Sequence, residues 1–133
     1  ERAWAAVGAR IRALHARSDE VLEGRVIGLW SGEVVRPEVY GAAPRPERHV
    51  LLQPTGARTA PVAVVLPPAP AGAGGLSPRL GDDVILLTRR LASGDLMLLW
   101  SSAAFVRLQP GGGGVTLDGP VAPETVTALR ARR

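Results

Sequence analysis

Two histidines, His15 and His49, are the first residues of this 133-residue chain to weigh for chemistry. An imidazole works as a metal ligand or general base when a second ligand or a carboxylate stands at matching spacing. No carboxylate is read at ligand spacing from either, so both read as solvated or interface histidines. The pair Asp82-Asp83 suggests a dyad, but adjacent strand residues point to opposite faces and do not readily share a ligand. A glycine bend with two solvated aspartates explains "LGDDV" better. The run Gly111 to Gly114 has neither the lysine and Ser/Thr of a phosphate-binding loop nor the spacing of a dinucleotide fingerprint. No serine sits in a G-x-S-x-G elbow, and the absence of cysteine excludes disulfides, thiolate metal sites and thiol nucleophiles. No catalytic, cofactor-binding or metal-ligating residue is assigned. The expectation is a protein that is not an enzyme and takes no small-molecule substrate.

Binding of single-stranded nucleic acid requires aromatic platforms interleaved with basic residues on one sheet face. The candidates are Trp30, Tyr40, Trp100 and Phe105, and none lies in an aromatic-x-aromatic pattern beside arginine. Trp30 and Trp100 end apolar strands, where they are expected to close a barrel core. All sixteen cations are arginine, which together with the many Ala, Gly and Pro residues fits a GC-rich genome. A net charge of +4 spread over the whole chain is a weak attraction for phosphate. Nucleic acid is therefore not the expected partner.

The elements that would position these residues are mostly strands. Sixteen glycines and twelve prolines are too many for a helical bundle, and with aromatics at only 4% the core has to be built from Val, Leu, Ile and Ala. At this length one domain is expected. No run approaches the ~18 apolar residues of a membrane span, and the first twenty residues lack the apolar stretch of a secretory signal. The expectation is a soluble chain; it begins without methionine, so a few upstream residues are expected to be missing.

Trp4, Val7, Ile11 and Leu14 are spaced three, four and three, which predicts an amphipathic helix ending at Ser18-Asp19. Its stripe suits either a helix lying on its own domain or copies packed about a symmetry axis, though two heptads are too short for a coiled coil alone. Strands are predicted at 21–30, 32–35, 49–56, 60–67, 82–90, 95–102 and 103–110, with Ser31-Gly32 as a turn between the first two. Residues 68–81 read as an extended loop, and "PTGART" and "LASG" as hairpin loops. After the glycine run, "VTLDGPV" is a short β segment and Pro123-Glu124 opens a possible helix. The predicted fold is mainly β: a small antiparallel OB-type barrel with an N-terminal helix and a short C-terminal β extension. The divisions are residues 1–18 for the helix, 19–110 for the barrel and 111–133 for the Gly-rich β/tail extension. An SH3-like barrel or a sandwich would give nearly the same pattern.

The order of short motifs adds to this. "WSGEVVRPEVYG", then a proline-bearing connection, "HVLLQPTGARTAPVAVVLP" and "GLSPRLGDDVILL" follow one another after the helix. This succession resembles baseplate assembly protein V of Mu-like contractile phages, the central spike of the tail, over roughly residues 8 to 120. Gly32-Glu33-Val34 and Glu38-Val39-Tyr40-Gly41 match one pair of motifs, and Leu80 to Val84 another. Ala42 replaces the usual aromatic, Glu47-Arg48-His49 stands where the family has Gly-Ala-Glu, and the His-x-His iron site of the family's tip has no counterpart.

The resemblance implies an OB-fold homotrimer in the virion's tail baseplate, assembled in the bacterial cytoplasm. Its partners would be tail hub and tube proteins and the host cell envelope. Tyr40 and Gly41 would be architectural markers. Trp4, Val7, Ile11, Leu14, Val115 and Leu117 are the candidate trimer-forming residues, the last two in C-terminal strands wound about the axis. A flexible linker is the plainer reading of that glycine-rich stretch. The alternatives are an OB-fold single-stranded nucleic-acid-binding module and an accessory domain of a larger assembly.

Overall fold

The first strand belongs to two neighbours at once, and this closes the structure. In the computed structural model, which describes residues 2–56, 60–67 and 78–131 (for residues 2–6 the backbone alone), helix α1 (Arg2–Arg17) leads into the 15-residue strand β1 (Glu20–Val34). Residues Glu20 to Arg25 of β1 pair antiparallel with β4 (Asp83–Arg90), while Gly24 to Val34 pair antiparallel with β2 (Arg45–Pro54). A register shift between Val26 and Gly28 leaves Ile27 as a bulge, which bends and twists the strand where it changes partners. At that bend β1 lies so close to β2 that a Cβ on Gly24 would stand 2.3 Å from the Gln53 carbonyl oxygen. Only glycine fits there.

Strand β3 (Val62–Leu66) follows β2, and β5 (Leu96–Leu98) lies parallel to β3 and antiparallel to β4. The order β1-β2-β3-β5-β4, returned to β1 by the β1–β4 pairing, is a closed five-stranded barrel in a mainly β chain with 46% strand. It is the small OB-like barrel expected from the sequence, with the β3–β5 pair running parallel. The barrel interior is aliphatic, with Val26, Val50, Leu52, Val64, Val84 and Leu86 all buried.

Beyond the barrel, β6 (Phe105–Leu108) adds to β4, and the hairpin β7 (Gly114–Thr116) and β8 (Gly119–Val121) adds to β6. Helix α3 (Pro123–Ala131) then closes the chain, beginning at Pro123 as predicted. Five successive residues of β4, Val84 to Thr88, are buried, so both faces of this strand are covered. One face looks into the barrel; the other lies under the layer formed with α1, which contacts β4 and β8.

Several expectations change here. Val7, Ile11 and Leu14 join the chain's own core, 3%, 0% and 4% exposed, together with Val126 and Leu129 of α3. The α1 stripe is therefore covered by its own domain and forms no open trimer seam; Trp4 lies in α1, but its side chain is outside the described part. Ser31-Gly32 is no turn, because both residues pair with β2 and the ladder carries β1 straight through. The glycine-rich stretch is neither a linker nor a strand wound about an external axis. Val115 is paired on both sides, with Arg107 and with Pro120, and Leu117 sits exposed in the β7–β8 turn. Most of the loop predicted at 68–81 lies outside the described residues. No helix of the described residues is long and apolar enough to cross a membrane.

The bend in β1 carries a direct test. Gly24→Ala is expected to destabilise the chain by about 1–3 kcal/mol, because the added methyl meets backbone that cannot yield. Gly32→Ala, with nothing within 4 Å of its added Cβ, is expected to stay within about 0.5 kcal/mol of the parent. Urea denaturation midpoints of the two variants measure the difference.

Candidate functional site

The connection between β1 and β2, residues 35–44, folds over the outside of the barrel. Arg36 precedes a proline and is extended (φ −131°), and Pro37 starts a single helical turn, α2 (Pro37–Tyr40). Gly41 ends it at φ +79°, a conformation natural to glycine, with its N–H donating to the Pro37 carbonyl at 3.3 Å. Arg36 and Tyr40 are thus four residues apart across one turn and reach the same target.

That target is Glu47 on β2. Successive β2 residues alternate between the two sides of the barrel wall. Val50 opposes Val64 inside, whereas His49 opposes Val65 outside, and Val65 in turn opposes Met97. Glu47 shares the outer side with His49, yet it is only 1% exposed because α2 and the β4–β5 turn (91–95) enclose it. Val65, Met97 and Leu91 form a small apolar cluster of their own there, with Val39 and Tyr40 packed against it.

Four contacts converge on the carboxylate. Arg36 donates through Nε to Oε2 at 2.6 Å and through Nη2 to Oε1 at 2.9 Å. The Tyr40 hydroxyl donates to Oε2 at 3.1 Å, and His49 Nε2 stands 2.7 Å from Oε1. An ionised carboxylate only accepts, so His49 carries its proton on Nε2. Arg36 extends the network: its Nη1 donates to Asp95 Oδ2 at 2.9 Å, and the Glu38 carboxylate accepts from the Ala92 N–H at 3.2 Å. The β1–β2 connection is in this way tied both to β2 and to the β4–β5 turn.

The electrostatics follow from these contacts. Burial pushes the Glu47 carboxyl up, but the hydrogen bonds from Arg36, His49 and Tyr40 together outweigh it and hold the group below the usual carboxylate range. Asp95 is also held low, chiefly by its hydrogen bond from Arg36. The Arg36 guanidinium is raised, first by its bond to Glu47, and the Tyr40 phenol is raised by burial and then by the Glu47 charge. A carboxylate that stays ionised, with both oxygens engaged and no water access, is a structural counter-ion. It is badly placed to take a proton from a substrate.

Two indoles flank this clamp. Trp30 packs edge-on against His49, ring centroids 5.1 Å apart, and is 44% exposed. Trp100, 55% exposed, lies 6.4 Å from the Tyr40 ring and donates through Nε1 to the Met97 sulfur at 3.4 Å. Both had been expected to close the barrel core. They stand outside it, because the aliphatic interior is already filled; Phe105 alone of the four aromatic candidates is in the core.

Of the other candidates, Asp82 and Asp83 take separate partners, Arg107 at 2.9 Å and Arg25 at 3.2 Å, as opposite orientations require. His15 lies in the last turn of α1, far in sequence from the clamp, and its carbonyl accepts from Ser18. His49, expected to lack a carboxylate partner, has one two residues away on the same side of β2. Among the described residues no group of three His, Asp or Glu side chains could hold a metal ion. A groove of about 540 Å³ lies elsewhere, between β1, the β6–β7 connection and α3. Its charged groups are already engaged, with Arg130 gripping Glu23 through two 3.0 Å bonds and Asp83 accepting from Arg25.

Compared with protein-family models, with curated proteins and with solved structures, the chain matches none.

Both depressed carboxylates stabilise the fold above their unfolded values, and that contribution is lost as pH falls through the folded ones. Stability is therefore expected to hold at neutral pH and to fall only below the ordinary carboxylate range. Glu47→Gln leaves a buried guanidinium short of its counter-ion and is expected to cost about 3–5 kcal/mol at pH 7. Its penalty should shrink in acid, where the parent loses the same charge. Denaturant titrations across pH measure both.

Proposed function

We propose that the chain is the OB-barrel domain of a central spike or hub-tip protein in a contractile tail baseplate, acting by mechanics with no covalent step. The observation that carries this reading is the Glu47 clamp. The motif stretch Gly32 to Gly41, which resembles the family's marker, supplies Arg36 and Tyr40 to a buried carboxylate and fastens a long connection to the barrel wall. A domain that must transmit force without its loops giving way needs such fastening. In this reading the domain sits at the end of the tail tube as a homotrimer, meets hub and tube proteins, and faces the host envelope in the assembled virion.

The geometry shapes the proposal in two ways. Residues 111–131 fold back on β6 and α1, so the chain suits a capping domain, and a tapering tip would come from elsewhere. The α1 stripe is buried, which leaves exposed Ile27 and Leu29 of β1, with Val35 just past its end, as the apolar surface for contact between copies. Light scattering at micromolar concentration is expected to give a trimer, and Leu29→Arg a monomer with unchanged circular dichroism. A stable monomer of the parent chain overturns the reading.

A further inference from the structure

The two exposed indoles stand on either side of one carboxylate: Trp30 reaches Glu47 through His49, and Trp100 reaches it through Tyr40. Each ring is braced by its neighbour while keeping about half its surface open. A rigid aromatic ring loses little freedom on covering a ligand, and its face takes flat apolar surfaces.

Charge decides which ligand. Arg36, Glu47 and Asp95 meet at the clamp, and Glu38 is fixed beside them by Ala92. Arg45 acts on Tyr40, and Arg89 lies opposite Met97 on the same row of the barrel wall. Three arginines stand against three carboxylates, and the face is neutral. A nucleic-acid strand needs a surplus of cations along its phosphates, which this face lacks. The half-exposed Asp95 carboxylate takes both its hydrogen bonds, from Arg36 and from the Ser93 hydroxyl, on Oδ2, so its Oδ1 and the Nδ1 edge of His49 are the hydrogen-bonding groups still open. A pyranose matches both demands, with a C–H face for an indole and hydroxyls for a carboxylate and an imidazole. The strand 2–3 face of OB barrels, between the loops equivalent to 35–44 and 91–95, accommodates oligosaccharides as well as oligonucleotides.

We propose that this face binds a neutral oligosaccharide, with Trp30 and Trp100 as stacking platforms and Asp95 and His49 as hydroxyl partners. The proposal stands apart from the tail reading, since binding is measured on the isolated chain whatever its oligomeric state.

The test is calorimetry and tryptophan fluorescence with a panel of neutral α- and β-linked oligomers of hexoses and N-acetylhexosamines, beside a short oligothymidine. At least one saccharide is expected to bind with equal affinity at low and high salt. Trp30→Ala and Trp100→Ala should each weaken it about tenfold or more, and Leu80→Ala, an exposed residue at the opposite end of β4 from the 91–95 turn, should not. Both indoles are surface groups, and far-UV circular dichroism checks that the variants fold. The proposal is overturned if no saccharide of the panel binds, if binding survives both tryptophan changes, or if the oligothymidine binds instead in a salt-dependent way.

Discussion

A carboxylate removed from water keeps its charge only where the chain surrounds it with donors, and Glu47 is such a group. Two opposing effects meet there. Desolvation favours the neutral acid, while a bidentate guanidinium, a phenol and an imidazole favour the anion, and the donors win. The outer face of the barrel depends on that outcome. Without the anion, the connection 35–44 would be held mainly by Val39 and Tyr40 on a cluster of only three buried side chains. With it, Arg36 bridges β2 to the β4–β5 turn, and the positions of both exposed tryptophans follow. Buried ion pairs add little net stability compared with apolar packing, but they are demanding of geometry. Here the demand fixes a loop.

The second constraint is closure. One strand must serve β4 and then β2, which forces a bulge at Ile27 and close backbone contact at Gly24. Past the bend, β1 and β2 continue as a ribbon beyond the part of β2 paired with β3. Past Arg25, β1 has left β4 and has β2 alone beside it, so Ile27 and Leu29 on this edge, and Val35 just beyond it, are exposed although their types belong in a core. Closure also leaves the outer side of β4 uncovered by the barrel itself. The N-terminal helix, the C-terminal hairpin and α3 meet there, with Arg10 of α1 paired to Asp118 in the β7–β8 turn. The two ends of the chain thus stabilise the same strand.

These two constraints divide the surface by role. The β4 side is occupied by the chain's own helices and offers little to a partner. The distal β1–β2 ribbon is apolar and open, which suits contact between copies, and the clamp face is aromatic and charge-balanced, which suits a neutral ligand. The two proposed surfaces lie on opposite sides of one ribbon, Leu29 on the first and Trp30 on the second, so a ligand on one side need not disturb contact on the other.

Much of the architecture was legible in local pattern. The three-four-three spacing of α1, the paired apolar runs about "LASG", and Pro123 opening α3 all formed where their periodicity and turn chemistry pointed. Local signals failed where a distant partner decided. Ser31-Gly32 has turn residues but pairs with β2, and the four glycines look like a linker yet lead into a hairpin that β6 templates. The clamp was hidden for the same reason. Arg36, Tyr40, Glu47 and His49 all lie within seventeen residues of "RPEVYGAAPRPERHVLL", and the i,i+2 spacing of Glu47 and His49 could have signalled a shared strand side. Their significance depends on α2 folding over β2 and on Asp95 arriving from another hairpin. By itself the sequence determined an aliphatic, mainly β chain with helices at its ends, because composition and periodicity act over a few residues. Tertiary structure alone decided which polar groups lost their water and which aromatics kept theirs, because burial is set by what the rest of the chain brings alongside.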